Sequence, residues 1–266
     1  NPKIENIIFP LIRKNLSMKE KNGTQTKWIL DLRVNDKILK YLNHSKLKSF
    51  SQRGPVTPDH VIRIKPKPLI LNIKNVKADK LDKVIQKEIQ KFKINYHKYF
   101  LKNKKYVLKP IELDPNPRLL FIPGLGLIGI GRSKKEAIIA SDLAETTIDV
   151  ISKAESFGKF KSIPDKEIFK VEYWPLEQAK LKSLKRKSLT GHVTIISGGC
   201  GTIGLAIAKE FFNEGSEIVL LENSSHNIKK TPQDIKKFST IIKCDVTNQI
   251  DVKKAFLKIK RTFGGV

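Results

Sequence analysis

The sequence predicts an α/β protein in two parts, an α/β segment followed by the first half of a doubly wound parallel sheet. Three observations carry that reading. Strand-like and helix-like runs alternate through residues 193–263, a glycine-rich turn sits at the first strand-to-helix junction, and two long helical stripes lie upstream of it. With 266 residues, 39% of them hydrophobic and 29% charged, the chain can bury a core and is not broadly disordered. It opens on Asn1 rather than Met and stops just after Gly264-Gly265, so it reads as an internal piece of a longer protein. No apolar run reaches 18 residues, so no membrane span and no membrane partner are expected.

Residues 1–50 are a polar, lysine-rich mixture with apolar bursts at Ile7–Phe9 and Trp28–Leu32, and no architecture is assigned to them. Residues 51–70 are punctuated by proline. Pro58-Asp59 opens a single helical turn, after which the chain is expected to run extended. Leu81, Val84, Ile85, Ile89, Phe92, Tyr96 and Phe100 fall in steps of three and four, which makes one stripe of a helix. Arg118–Pro123 and Leu125–Gly131 read as short strands around Pro123-Gly124. Ser133 and Glu136 then form a capping box for a helix whose apolar face runs Ala137, Ala140, Leu143, Ala144, Ile148, Ile151 and which ends near Gly158. A short helix begins after Trp174-Pro175. Residues 182–190, with the basic stretch Lys182–Lys187, read as the linker between a segment over 51–181 and a second domain over 191–266.

In that second domain, Val193–Ser197 is a β-branched run read as a buried strand. Gly198-Gly199-Cys200-Gly201-Thr202-Ile203-Gly204 follows at once, and Leu205–Asn213 continues as an amphipathic helix that Gly215 ends. Glu217–Leu221 makes a second strand closing on Glu222, Thr240–Lys243 a third closing on Cys244-Asp245, and Val252–Phe263 a further helix. Such a β-α-β-α-β unit is the first half of a Rossmann-type sheet. Glycines at its first turn let a pyrophosphate approach without a Cβ in the way, while the helix N-terminus offers unpaired N–H groups. Gly198, Cys200, Gly201, Thr202, Ile203 and Gly204 are therefore the candidate pyrophosphate contacts. Glu222 stands 24 residues past Gly198, where a carboxylate can accept from both ribose hydroxyls and repel a 2′-phosphate, so NAD is expected over NADP. Cys200 has two readings, a reactive thiol or a small residue in a tight turn. Cys244 reads as a buried strand residue.

At these residues the chain resembles the short-chain dehydrogenases. Ser197-Gly198-x-x-Gly201-x-x-Gly204 is similar to the T-G-x-x-G-x-x-G variant of their cofactor loop; against the commoner T-G-x-x-x-G-x-G form, Thr202 stands where glycine is expected. Cys244-Asp245-Val246-Thr247 resembles the family's C-D-V-T segment, which implies that Asp245 and Val246 lie at the adenine. Phe263-Gly264-Gly265-Val266 resembles the stretch before the N-N-A-G motif, so the catalytic Ser and Y-x-x-x-K pair are expected beyond Val266 and no residue here is assigned to catalysis. Upstream, residues 51–63, 114–118 and 172–181 resemble bifunctional class II aldolase/short-chain dehydrogenases, among them rhamnulose-1-phosphate aldolase/lactaldehyde dehydrogenase fusions. The zinc-binding H-x-H pair of class II aldolases is missing, and Leu125 occupies the place of their later histidine ligand. The 51–160 stretch is thus expected to be metal-free, with any zinc ligands preceding Asn1. His60, beside Asp59 and near Arg53, Arg63 and Lys65, is either part of a sugar-phosphate site or a structural histidine at a helix start.

The net charge of +26 raises nucleic acid as a partner. Only eight of the 52 basic residues are arginines, however, and the lysines spread along the whole chain, so no specific nucleic-acid partner is expected. The two cysteines form no C-x-x-C pair and fit a reducing cytoplasm. The reading implied is a fragment, inactive alone, of a homo-oligomeric NAD-dependent oxidoreductase acting on small hydroxy or aldehyde substrates of sugar catabolism. Two alternatives stay open: a zinc-dependent sugar-phosphate aldolase with an accessory Rossmann domain, and a basic nucleotide-sensing binding protein.

Overall fold

A computed structural model describes residues 2–18, 25–182 and 186–266, the helix ends 2–6 and 180–182 by their backbone alone. In chain order the first elements are α1 (Pro2–Leu16), β1 (Ile29–Arg33), α2 (Asp36–Leu42), α3 (Leu47–Phe50), α4 (Val61–Ile64), β2 (Leu69–Ile70) and α5 (Leu81–Asn103). Next come β3 (Leu119–Ile122), β4 (Gly126–Gly131), α6 (Lys134–Phe157), α7 (Asp165–Glu172) and α8 (Pro175–Lys182). The chain continues through β5 (Val193–Ser197), α9 (Thr202–Asn213), β6 (Glu217–Glu222), α10 (Ser225–Lys230), α11 (Gln233–Phe238), β7 (Ser239–Lys243) and α12 (Gln249–Phe263). The fold is α/β and divides into two compact units. Among the described residues one unit takes 31–130 and 135–182, the other 2–18, 25–30, 131–134 and 186–266.

The first unit is built on a sheet of order β1-β4-β3-β2, in which β3 and β4 form an antiparallel hairpin and β2 joins β3 in parallel. The hairpin turns at Pro123-Gly124, as its sequence implies. Every residue of β3 and β4 is buried. The apolar stripe of α6 supplies Ala140, Ala144, Ile148 and Ile151 to a core shared with Phe121, Leu127, Tyr41 and Phe50. On α5 the expected stripe is inward, with Leu81, Ile85, Ile89, Tyr96 and Phe100 buried. Residues 61–64, expected to run extended, instead form α4, because the turn at Pro58–His60 carries on helically until Lys65 breaks it at φ +66°. The helix α7 has no counterpart in the sequence reading; its buried apolar face is two residues, Ile168 and Phe169, too few to show a period.

The second unit holds three parallel strands in the order β5-β6-β7. β6 lies between two neighbours and is buried from Ile218 to Glu222. β5, read from sequence as a buried strand, is buried at Val193 and Ile196, and among the described residues it pairs with β6. Part of the basic linker, residues 183–185, lies outside the described residues. The lysine-rich N-terminus belongs to this unit. Ile8, Phe9, Ile12 and Leu16 of α1 are buried, and α1 packs on α12, whose inner face is Ala255, Ile259 and Phe263. Trp28 donates its indole N–H to Leu16 O at 3.0 Å, and the Arg13 guanidinium donates to Gly191 O at 3.2 Å. Burial pushes that guanidinium down to about 10. Lys134 joins from a third segment, its Nζ donating to Thr262 O and its backbone N–H to Glu217 Oε1, each at 2.6 Å.

Trp28 is 1% exposed and ties α1 to its own unit. Trp28→Ala is expected to cost about 3–5 kcal/mol in denaturant unfolding. Hydrogen exchange should then show amide protection lost in β5–β7; loss confined to β1–β4 would contradict this assignment.

Candidate functional site

The site begins at the end of β5, where the chain must reverse into α9 within four residues. Gly198 adopts φ +59°, a left-handed conformation that costs a side-chain-bearing residue about 1 kcal/mol or more. Gly201 N–H closes the turn on Gly198 O at 3.0 Å and Gly199 N–H continues the β5–β6 ladder to Leu221 O at 3.1 Å. Gly204 comes hard against this loop. A Cβ there would stand 2.7 Å from both Gly198 O and Gly199 Cα, so only glycine lets α9 start so close to the strand. No side chain caps α9 at Gly201. Its first N–H groups are thus available to an anion, and Thr202 and Ile203 are exposed beside them, Ile203 by 78%. The side chain of Cys200 is buried, which fits the reading of a small residue in a tight turn. It packs with Ile196, Ala208, Ile218, Leu220 and Ile235, so the thiol is a core group and only backbone atoms of Cys200 are left for a ligand.

The parallel arrangement puts the ends of β6 and β7 on the same edge as this turn. Glu222 is 7% exposed, and its Oε1 accepts the Ser224 N–H at 2.9 Å. Cys244 is buried, and its N–H donates to Glu222 O at 3.0 Å, carrying the ladder one residue past β7. Asp245 accepts from both the N–H and the hydroxyl of Thr247, at 2.9 and 2.7 Å. Those bonds hold its carboxyl below the ordinary carboxylate range. Val246, 51% exposed, follows it on the rim. Glycine turn, uncapped helix, Glu222 and Asp245-Val246 therefore share one edge, and the uncapped start of α9 beside a turn without side chains at Gly198, Gly199 and Gly201 suits a dinucleotide's pyrophosphate. Sequence reasoning did not pick out Ser224, Ser225 or Lys243, which the strand register brings to the same edge.

A model of the class II aldolase second domain matches residues 3–181, and a model of the short chain dehydrogenases matches residues 192–266. The chain belongs to the class II aldolase/short-chain dehydrogenase fusion family. It is 30% identical over 267 residues to the "Uncharacterized oxidoreductase YuxG" of Bacillus subtilis (strain 168), which covers 97% of this chain and 38% of that protein. The second segment alone is similar to the "Short-chain dehydrogenase/reductase prx4" of Penicillium rubens, 40% identical over 68 residues, 26% of this chain and 20% of that protein. A "Probable NADP-dependent mannitol dehydrogenase" of Yarrowia lipolytica is 30% identical over 95 residues, 35% of this chain and 34% of that protein. The chain thus spans 38% of the length of YuxG and smaller shares of the others.

In the aldolase-like segment of this fusion-family chain, two of the basic residues near His60 in sequence are engaged elsewhere. Arg53 is engaged by Glu155 Oε1 at 2.5 Å, Phe160 O at 2.8 Å and Ser49 Oγ at 3.1 Å. The Nδ1 of His60 is buried without a hydrogen-bond partner among the described residues, and desolvation lowers the ring's basicity. Lys65 is 5% exposed. Its ammonium lies 3.7 Å from the Tyr96 ring centroid and 3.6 Å from Oε1 of the fully buried Glu172, which also accepts from the Tyr96 hydroxyl at 2.7 Å. Leu125, at the place of the family's later histidine ligand, is buried, and among the described residues no three His, Cys, Asp or Glu side chains gather as metal ligands. No helix among the described residues is long and apolar enough to cross a membrane.

Burial lowers the Lys65 ammonium from 10.5 to about 8, while desolvation raises Glu172. The unfolded chain consequently binds more protons at Lys65 between pH 8 and 10.5, so this residue makes stability rise with pH across that window. Glu172, with its raised folded value, acts in the opposite direction and only above the ordinary carboxylate range. Urea unfolding at pH 8 and 10 should show the wild type gaining about 2 kcal/mol on Lys65→Met. Parallel pH profiles would show that Lys65 keeps its proton across this window and that burial does not lower its ammonium.

Proposed function

We propose that the dehydrogenase unit binds NAD along the carboxyl edge of β5-β6-β7. The pyrophosphate lies over Gly198–Gly204, the adenosine ribose on Glu222, and the adenine by Asp245-Val246. The observation that carries this reading is the contact of Gly204 with the Gly198 carbonyl at the foot of an uncapped α9, one strand from a carboxylate that ends β6. The backbone of the turn and the first turn of α9 hold the anion by N–H donation. Glu222 orients the ribose by accepting from its hydroxyls and disfavours a 2′-phosphate beside it. Bound there, the nicotinamide cofactor supplies hydride transfer. The whole protein, by this reading, is a cytoplasmic homo-oligomeric oxidoreductase working on small hydroxy or aldehyde substrates of sugar catabolism, with the catalytic residues supplied by parts of the protein other than this chain.

A second reading is favoured by the match of the aldolase second domain over residues 3–181: aldol cleavage of a sugar phosphate by the whole protein. Zinc would act there as the Lewis acid only if its ligands come from elsewhere in that protein. Zinc-dependent cleavage by the full-length protein would support this activity, and its absence with zinc added would remove it.

Calorimetric titration of the full-length protein should show NAD binding, tighter than NADP. Gly204→Val should weaken NAD at least tenfold with the far-ultraviolet circular dichroism unchanged, because the new side chain meets the Gly198 carbonyl and moves the turn. Glu222→Ala should bring the NAD-to-NADP ratio toward unity. An unchanged ratio would show that Glu222 does not read the ribose.

A further inference from the structure

The aldolase-like unit carries a cleft that neither reading above uses. It has a volume of about 660 Å³ and lies between α5 and the loop that leads into β3. From α5 it takes Lys93, Ile94, His97, Lys98 and Leu101, and from the loop the run Glu112–Pro115. At about 3.6 residues per turn, Ile94, His97 and Leu101 share one face of α5, with Lys93 and Lys98 on either side of it. This is not the buried face of the helix, for Ile94 is 55% and Leu101 46% exposed. The loop wall is fixed at three successive residues. Glu112 Oε2 bonds His97 Nδ1 at 2.8 Å, the Leu113 N–H donates to the Tyr173 hydroxyl at 3.4 Å, and Asp114 accepts from Arg118 Nη2 and the Asn116 N–H, both at 2.9 Å. The cleft stands before β3, whereas Leu125, at the place of the family's later histidine ligand, follows that strand.

We propose that this cleft binds an aliphatic carboxylate, its hydrocarbon chain against Ile94, Leu101, Leu113 and Pro115 and its head group on the ammoniums of Lys93 and Lys98. The charges of the walls select the sign of the ligand. Both acids are engaged within the walls, Glu112 by His97 and Asp114 by Arg118. Neither lysine has a hydrogen bond or ion pair among the described residues. Lys93 is half-buried, and burial lowers its ammonium from the usual value against the pull of Asp114, a cost that a bound carboxylate offsets. The walls also select the body of the ligand. They are chiefly apolar, and His97, Glu112 and Asp114 use their polar atoms on one another or on the loop, so a polyol would leave hydroxyls without partners. A hydrocarbon chain instead takes the exposed Ile94 and Leu101 out of water. Small-molecule sites commonly measure roughly 300–1,000 Å³, and a wall already held in place lowers the cost of ordering it. The site belongs to the other unit from the dinucleotide edge and does not depend on that reading.

Calorimetric titration of the full-length protein with decanoate, decanol and decyltrimethylammonium, each below its micelle concentration, tests the site. Decanoate should bind about fivefold or more tightly than decanol, and the cationic amphiphile should not bind. Lys93→Met should weaken decanoate about fivefold and leave decanol within about twofold. Leu101→Glu, at a partly exposed helical position, should weaken decanoate about tenfold or more with the far-ultraviolet circular dichroism unchanged, because it sets a like charge in the wall. Equal affinities for decanoate and decanol, or tighter binding of the cationic amphiphile, would overturn the proposal. Binding that neither substitution changes would put the ligand elsewhere, and failure to bind any of the three would leave the cleft without this ligand; either overturns it as well. If Leu101→Glu instead splits an assembly of the full-length protein in sedimentation velocity, the cleft is a contact between copies and the proposal falls.

Discussion

The carboxyl edge of the parallel sheet depends on how near α9 comes to the end of β5. Gly204 lies under the Gly198 carbonyl with no room for a Cβ, and Gly198 takes a left-handed φ to let the chain reverse. From that contact follow the start of α9 at Thr202, the absence of a side-chain cap, and the run of backbone N–H groups facing outward. Within the same turn the Cys200 side chain joins the core with Ile196, Ala208, Ile218 and Leu220. The helix is therefore placed by sterics first, and its partial positive charge is available because nothing within the turn neutralises it.

How much of this was legible in the sequence depends on distance along the chain. The β5–α9–β6 unit could be read because its signals are local: a β-branched run, three glycines at fixed spacing, and an acid where the next strand ends. The α5 and α6 stripes were legible for the same reason, each being more than twenty residues long with its inner face repeated several times. The N-terminal residues resisted because the partner of α1 is α12, more than two hundred residues away, and an amphipathic burst gives no address for its partner. Short helices such as α7, α10 and α11 are six to eight residues long and present too few turns to establish a period. At the site itself, residue types could be named but not orientations. Cys200 was placed among the ligand contacts because it sits in the loop, and its inward side chain became visible only with the neighbours that surround it.

Sequence families and compact units do not divide this chain at the same places. The aldolase second-domain match begins at residue 3, yet α1 and Trp28 are packed with α12 and the three-stranded sheet. Lys134, at the start of the helix that covers the first sheet, is held by Glu217 and Thr262. The dehydrogenase unit is therefore assembled from three separated stretches. Burying Ile8, Phe9, Ile12, Leu16 and Trp28 gives it apolar area that residues 186–266 do not contain, at about 25 cal/mol per Å² removed from water. A boundary drawn at the basic linker would leave α12 without the helix that covers it.

Thr202 shows why the glycine pattern has to be read by position and not by count. It stands where the commoner form of the loop has a glycine. The structure gives Thr202 the first helical position of α9, with its side chain exposed. Helical dihedrals suit any L-residue, so no strain arises there. The glycine requirement falls instead on Gly198, for its dihedral, and on Gly204, for its contact. Both are present. The variant loop therefore keeps the two glycines that the turn's dihedral and its contact demand and places a hydroxyl at the start of a helix whose N-terminus favours negative charge.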